Sequence, residues 1–241
     1  MSIKHIQINP GTLAQVFKLP NDMIDYLWEC IDVAKKKKIN VKEDLAGNIS
    51  HSYNLEDPQN LVVKNLINVV FNQVDNPNMF NFINEELQLI YKKIYPNQIN
   101  QLVKPHLNNL WVNFQKKGEF QPVHNHTGTL SFVIWMDIPY DWKDEAKLPF
   151  AKMRAAGPPN GGNFSFVYSK GNCRSVSEYV IPMSPEMNGY CCFFPSDLCH
   201  QVYPFYTSDK DRISISGNIV FEMEDSSEQR SQQFPFIVSN T

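Results

Sequence analysis

The chain has no strong charge of either sign. Over 241 residues, 22 Lys and Arg stand against 25 Asp and Glu, a formal net charge of -3. So even a balance gives no general attraction to nucleic acid or to an anionic membrane. The one basic run, Lys35-Lys36-Lys37-Lys38, closes a predicted helix, where cations suit the exposed carbonyls of its last turn. Cysteine is scarce and unpaired in pattern. Cys30, Cys173, Cys191, Cys192 and Cys199 are an odd five with no CxxC among them, which argues against a disulfide framework and a four-cysteine zinc site. Adjacent Cys191 and Cys192 point to opposite faces if they lie in a strand. Met1-Ser2-Ile3-Lys4-His5 lacks an apolar signal region, no apolar stretch nears membrane-spanning length, and no internal repeat is visible. The expectation is a soluble intracellular protein.

What is present divides near Pro105. The first part reads as mainly helical. Ile3 to Ile8 alternates like a short strand, and Phe17-Lys18-Leu19-Pro20 is an extended lead-in. Asn21 or Asp22 can cap a helix with Ile24, Leu27, Trp28 and Ile31 on one face. Asp57-Pro58 resembles a cap and first-turn proline for a second helix through Leu61, Val62, Leu66, Val69 and Val70. Phe80, Ile83, Leu87, Ile90, Tyr91 and Ile94 mark a third. These faces are packing surfaces.

After Pro105 come short apolar runs broken by Gly, Pro and Asn. Strands are predicted at 108–115, 129–138, 163–169, 178–181, 190–194, 200–203 and 212–222, the texture of a double-sheet barrel or jelly roll. The stretch 141–162, ending Gly157-Pro158-Pro159-Asn160-Gly161-Gly162, reads as a mobile loop over a site or as a surface insertion. The tail from Asp225 is polar, with Phe234-Pro235-Phe236-Ile237 able to dock.

Three histidines carry the chemistry. His124-Asn125-His126 lies where a loop turns into a strand, and residues at i and i+2 of an extended chain share a face. His200 follows far downstream, then Arg212 on the next apolar run. Imidazole is the commonest metal ligand, and a guanidinium forms a bidentate fork for a carboxylate. Ser214 points the same way as Arg212 on an extended strand. Together they suggest a non-haem metal site with an anion anchor. Asn113, Gln121, Ser131 and Asn218 could line a pocket or merely satisfy backbone groups. Trp135, Phe132 and Phe194 read as core, and His5, His51 and His106 as ordinary surface or loop histidines. Arg212 could instead pair with Asp209 or Asp211.

The order of these segments resembles the 2-oxoglutarate/Fe(II)-dependent oxygenases, and among them a family found in marine phages and bacteria. The carrying residues are Trp111 to Pro122, His124-Asn125-His126, Leu130 to Trp135, Phe194-Pro195-Ser196 leading to His200, and Asp211 to Asn218. The likeness spans Trp111 to Val220, and Phe17 to Ile31 also looks like the start of such proteins. It implies an α+β protein with three parts: a mainly helical region at 1–105, a catalytic core at 106–224 and a tail at 225–241. The core would be a double-stranded β-helix, jelly-roll and cupin-like, with the helical region packed against it.

It further implies an Fe(II)-dependent dioxygenase, an oxidoreductase that uses O2 and 2-oxoglutarate, releases succinate and CO2, and hydroxylates an unidentified small-molecule or peptide substrate. Ascorbate would support activity. Arg212 would meet the far carboxylate of 2-oxoglutarate, helped by Ser214, with Asn113, Gln121 and Ser131 near it. A homodimer is compatible, with no nucleic-acid or membrane partner. The expected location is the cytoplasm, the host's for a phage-encoded copy.

One departure matters. The family pattern is His-x-Asp or His-x-Glu, whereas this chain has His124-Asn125-His126. With His124 as first ligand, His126 takes the carboxylate's position and the site has three histidines. With His126 first, the residue two later is Gly128, which cannot bind metal. His126-Thr127-Gly128 then resembles the two-histidine aspartyl/asparaginyl β-hydroxylases, or halogenating relatives in which chloride fills the gap. His126 and His200 are the preferred ligands, with His124 third. Two other readings stay open: a cupin-like metal enzyme that does not use 2-oxoglutarate, and a non-catalytic jelly-roll binding module.

Overall fold

Two antiparallel sheets and a few helices make up the regular structure of the described residues. A computed structural model describes residues 6–7, 14–68, 103–153, 159–169 and 175–223. The strands are β1 (Ile6–Gln7), β2 (Gln15–Lys18), β3 (His51–Asn54), β4 (Val103–Gln115), β5 (Gln121–His124) and β6 (Leu130–Asp137). They continue as β7 (Phe164–Ser169), β8 (Val176–Ile181), β9 (Tyr190–Pro195), β10 (His200–Val202) and β11 (Arg212–Met223). The larger sheet runs β1-β2-β9-β6-β11-β4-β3 and the smaller β5-β10-β7-β8.

Alternation along the strands builds two cores. In β9, Cys191 and Phe193 face one apolar layer while Cys192 and Phe194 face the other, as the two-residue period requires. The first layer joins the outer side of the large sheet (Val112, Phe114, Ile134, Ile215) to helix α1 (Asn21–Lys37) and helix α2 (Leu61–Asn68). The second fills the space between the sheets with Trp135, Phe164, Phe166 and Phe194. Each fully buried large apolar side chain contributes about 1.5–3 kcal/mol.

The N-terminal part differs from a helical preface. Helices α1 and α2 do pack on the sheet, but β1 and β2 extend one of its edges and β3 forms the other. The two helix starts also differ from expectation. Pro20 occupies the N-cap of α1, while the Asp22 carboxylate accepts the neighbouring Met23 N–H. Asp57 does cap α2, accepting the Leu61 and Val62 N–H groups, but from across a turn, so Pro58 precedes the helix. The lysine run ends α1 as predicted, with Lys37 paired to Glu56 on the surface. Val69, Val70, the third predicted helix and the tail lie outside the described residues. Among those described, no helix is long and apolar enough to cross a membrane.

The stretch 141–162 is tied down in its described parts. Asp141 caps a short helix, α3 (Trp142–Glu145), and the Glu145 side chain is buried. Its carboxylate accepts the Tyr206 and Thr207 N–H groups and the Thr207 hydroxyl. A carboxylate buried with this many donors is an anchor, the opposite of a free lid.

Candidate metal centre and co-substrate cavity

The histidines meet because β5 and β10 are neighbours. His124 ends β5, His200 starts β10, and the two are direct register partners. His126 sits two residues beyond β5, its N–H held by the Ser196 carbonyl. Gly128 completes that turn at φ 111°, a conformation that glycine adopts without strain. One ligand nitrogen from each of His124, His126 and His200 lies within 4.8 Å of the other two.

The backbone sets which nitrogen each ring can offer. The Nδ1–H of His124 donates to the Pro122 carbonyl at 2.7 Å, and that of His200 to the Leu198 carbonyl at 3.0 Å. A carbonyl can only accept, so both rings carry their lone pair on Nε2. Holding the outer nitrogen this way is how metal-binding imidazoles are usually oriented. The Nε2 atoms of His126 and His200 stand 3.1 Å apart. Two imidazole nitrogens about 2.1 Å from one ion, at right angles, would be about 3.0 Å apart. The residues therefore fit a divalent metal.

Aromatic packing fixes the rings further. Trp111 stacks on His126 with centroids 5.7 Å apart, while Phe164 stacks on His200 and Phe194 meets it edge-on. Burial pushes the His126 imidazole down to about 4, helped by nearby His124. It also drives His200 well below the usual imidazole value, with His124 and His126 adding to it. His124 is lowered by burial as well, against the opposing pull of the Pro122 carbonyl. Neutral imidazoles at ordinary pH are the form that binds metal.

Arg212 lines the same cavity, whose volume is about 280 Å³. It is 2% exposed, and its Nη1 donates to the Tyr140 hydroxyl at 3.0 Å and the Gly162 carbonyl at 3.2 Å. Tyr140 in turn donates to Gly162. Gly162 has φ 74°, and a Cβ there would lie 2.4 Å from the Tyr140 ring, so only glycine allows this approach. Asp209 pairs with Lys117 instead of Arg212, and among the described residues no carboxylate ion pair to Arg212 is present. A buried cation bonded only to neutral oxygens retains donors for an anionic ligand.

The remaining sequence candidates separate. Asn113, Gln121, Ser214 and Asn218 line the cavity with the histidines and Arg212. Asn113 also accepts the Ser52 hydroxyl proton. Ser131 lies apart from the lining, bridging Ser196 and Asn218 in a buried chain. Sequence reasoning missed Tyr140 and Gly162, and also the wall from Val41, Leu45, Gly47, Ile49 and Asn54. The Gly-Gly pair at 161–162 was a visible turn signal, but nothing marked it as Arg212's partner.

Residues 109–218 match the family described as "Putative 2OG-Fe(II) oxygenase". That stretch, a little under half of the chain, holds all three histidines and Arg212. Over that stretch the chain is similar to the 2OG-Fe(II) oxygenases, enzymes with Fe(II) as metal and 2-oxoglutarate and O2 as co-substrates, and its three histidines form a candidate iron site.

Comparison with curated proteins gives no match. Among solved structures the chain is similar to a Pseudomonas putida prolyl-4-hydroxylase, at 14% identity over 86% of this chain and 91% of that one, TM-score 0.44. It is also similar to the viral collagen prolyl hydroxylase of Paramecium Bursaria Chlorella virus-1, at 12% identity over 87% and 96%, TM-score 0.42. A Trichoplax adhaerens prolyl hydroxylase, in complex with a hypoxia inducible factor peptide fragment, matches at 10% identity over 91% and 89%, TM-score 0.44.

Proposed function

We propose that the protein is a hydroxylase whose iron is held by His124, His126 and His200 and whose 2-oxoglutarate is anchored by Arg212. The carrying observation is that three imidazoles and a buried guanidinium open onto one cavity. Bound Fe(II) supplies the activation of O2 that couples decarboxylation of 2-oxoglutarate, to succinate and CO2, with hydroxylation of the substrate. The protein's own residues do the positioning. The Arg212 fork receives the far carboxylate, and the Ser214 hydroxyl, on the same face of β11, donates to it. Asn113 and Gln121 flank that carboxylate. Phe164 and Phe194 keep water from the His200 side of the metal. The wall from residues 41–54 lies outside the family-matched stretch and would contact the prime substrate, a small molecule or a peptide side chain.

On this reading the two facing sheets are a double-stranded β-helix, with residues 106–224 as catalytic core and the wall from 41–54 completing the cavity. Three neutral ligands would also suit a cupin-like enzyme that does not use 2-oxoglutarate. The buried Arg212 in the same cavity favours the keto acid. The test is calorimetric titration of the Mn(II)-loaded protein with 2-oxoglutarate, followed by succinate assay with Fe(II) and ascorbate in air. Saturable binding plus succinate is expected; neither binding nor turnover would sink the reading.

A further inference from the structure

We propose that 2-oxoglutarate also serves as the metal site's missing anion, so that metal and keto acid bind with strong positive coupling and each binds weakly alone. The proposal rests on the three-histidine reading above. Its observation is electrostatic: among the described residues, the cavity lining contains neither aspartate nor glutamate. Its uncharged polar groups are amides and hydroxyls such as Asn54, Asn113, Gln115 and Ser216. The nearby buried carboxylate, Glu145, is already engaged by Tyr206 and Thr207. Where oxygenase iron usually meets two histidines and one carboxylate, His126 stands as a neutral ligand.

A divalent metal here would add two positive charges to a cavity that already holds Arg212, with no aspartate or glutamate among its described lining residues to offset them. Charges desolvated without compensation are costly, so the metal alone is disfavoured. 2-Oxoglutarate brings two negative charges, one at each end of the molecule. One end meets Arg212, and the other lies beside the metal. Each partner removes the electrostatic penalty of the other, and the coupling is reciprocal by linkage.

Mn(II) binding to the full-length protein tests this, at constant ionic strength, with free Mn(II) read by electron paramagnetic resonance. Saturating 2-oxoglutarate should tighten Mn(II) binding by roughly ten- to a hundred-fold, with the same factor recovered when 2-oxoglutarate is titrated with and without Mn(II). Chelation alone gives some coupling in any such site, so two comparisons isolate the charge. In the wild type, formate should tighten Mn(II) binding while formamide, of similar shape but uncharged, should not. His126→Asp, checked for folding by circular dichroism, should bind Mn(II) more tightly than wild type without 2-oxoglutarate and show a smaller coupling factor. Equal effects of formate and formamide overturn the proposal whatever the variant does. So does an unchanged coupling factor in folded His126→Asp. Absence of Mn(II) binding under every condition would overturn the three-histidine reading itself, and the proposal with it.

Discussion

The two ends of the cavity are built on opposite principles. The metal end is made from the edge of the small sheet. His124 and His200 are oriented by the backbone carbonyls of Pro122 and Leu198, and His124 and His126 are only partly buried. The Arg212 end is made from residues far apart in the chain, with Tyr140, Gly162 and Glu145 locked around a fully buried guanidinium and its neighbouring loop. One end has rings oriented by carbonyls two residues away and is partly exposed and able to exchange protons. The other is assembled by tertiary packing around a buried guanidinium.

Removing a ligand should break the first end alone. His200→Ala is expected to lower succinate formation by at least about a hundred-fold, since losing even an outer-shell partner costs ten- to a hundred-fold. Inductively coupled plasma analysis should show lost iron, with the Arg212 end intact by its melting curve. Iron content equal to wild type would refute the assignment of this ligand.

The next largest effect falls at the other end. Arg212→Met should raise the 2-oxoglutarate KM by about a hundred-fold, the roughly 2–5 kcal/mol expected when a buried charge partner is truncated. Mn(II) affinity measured without keto acid should stay level or rise. A KM within two-fold of wild type would remove Arg212 from co-substrate binding.

Glu145→Gln sharpens the comparison by loosening the anchor without touching the cavity lining. Replacing an acceptor-only group by an amide among N–H donors should cost about 1–3 kcal/mol of stability, seen in urea unfolding. Mn(II) binding should be unchanged while the 2-oxoglutarate KM rises several-fold. An unchanged unfolding midpoint would show that the Tyr206–Thr207 segment needs no anchor.

The smallest effect near neutrality is that of pH, and it acts on the metal end. Burial lowers the folded-state values of all three imidazoles below the usual 6.5, that of His126 to about 4. Between those values the unfolded chain binds more protons than the native one, so acid favours unfolding. The stability of the metal-free protein should be complete above about pH 6.5 and fall progressively as pH drops toward 4. His126→Phe should flatten that decline. Melting curves that do not change over this interval would contradict the buried, neutral state of the histidines.

Much of this was legible residue by residue. Short alternating runs placed the strands to within a few residues, as at 163–169 against β7 (Phe164–Ser169), because a half-buried strand imposes a period of two. The same period put Arg212 and Ser214 on one face and split Cys191 from Cys192. Trp111 and Val112 were likewise placed on opposite faces; one stacks on His126 and the other enters the outer core. What failed to show was the partner of Arg212. Arg212 and Tyr140 are 72 residues apart, and a tyrosine before a polar loop carries no local sign of its target. Ser131 had the right type for a cavity wall, yet its hydroxyl turns to Ser196 and Asn218.

Chain order and chemistry dictated the two-sheet class, the three candidate imidazoles and the absence of a carboxylate two residues after His124. Those depend on periodicity and residue type, which are properties of short segments. Whether His126 joins His124 and His200, what clamps Arg212, and which N-terminal residues wall the cavity depend on pairings between distant strands. Burial and side-chain direction there are set by the packed whole, so they emerge with the fold.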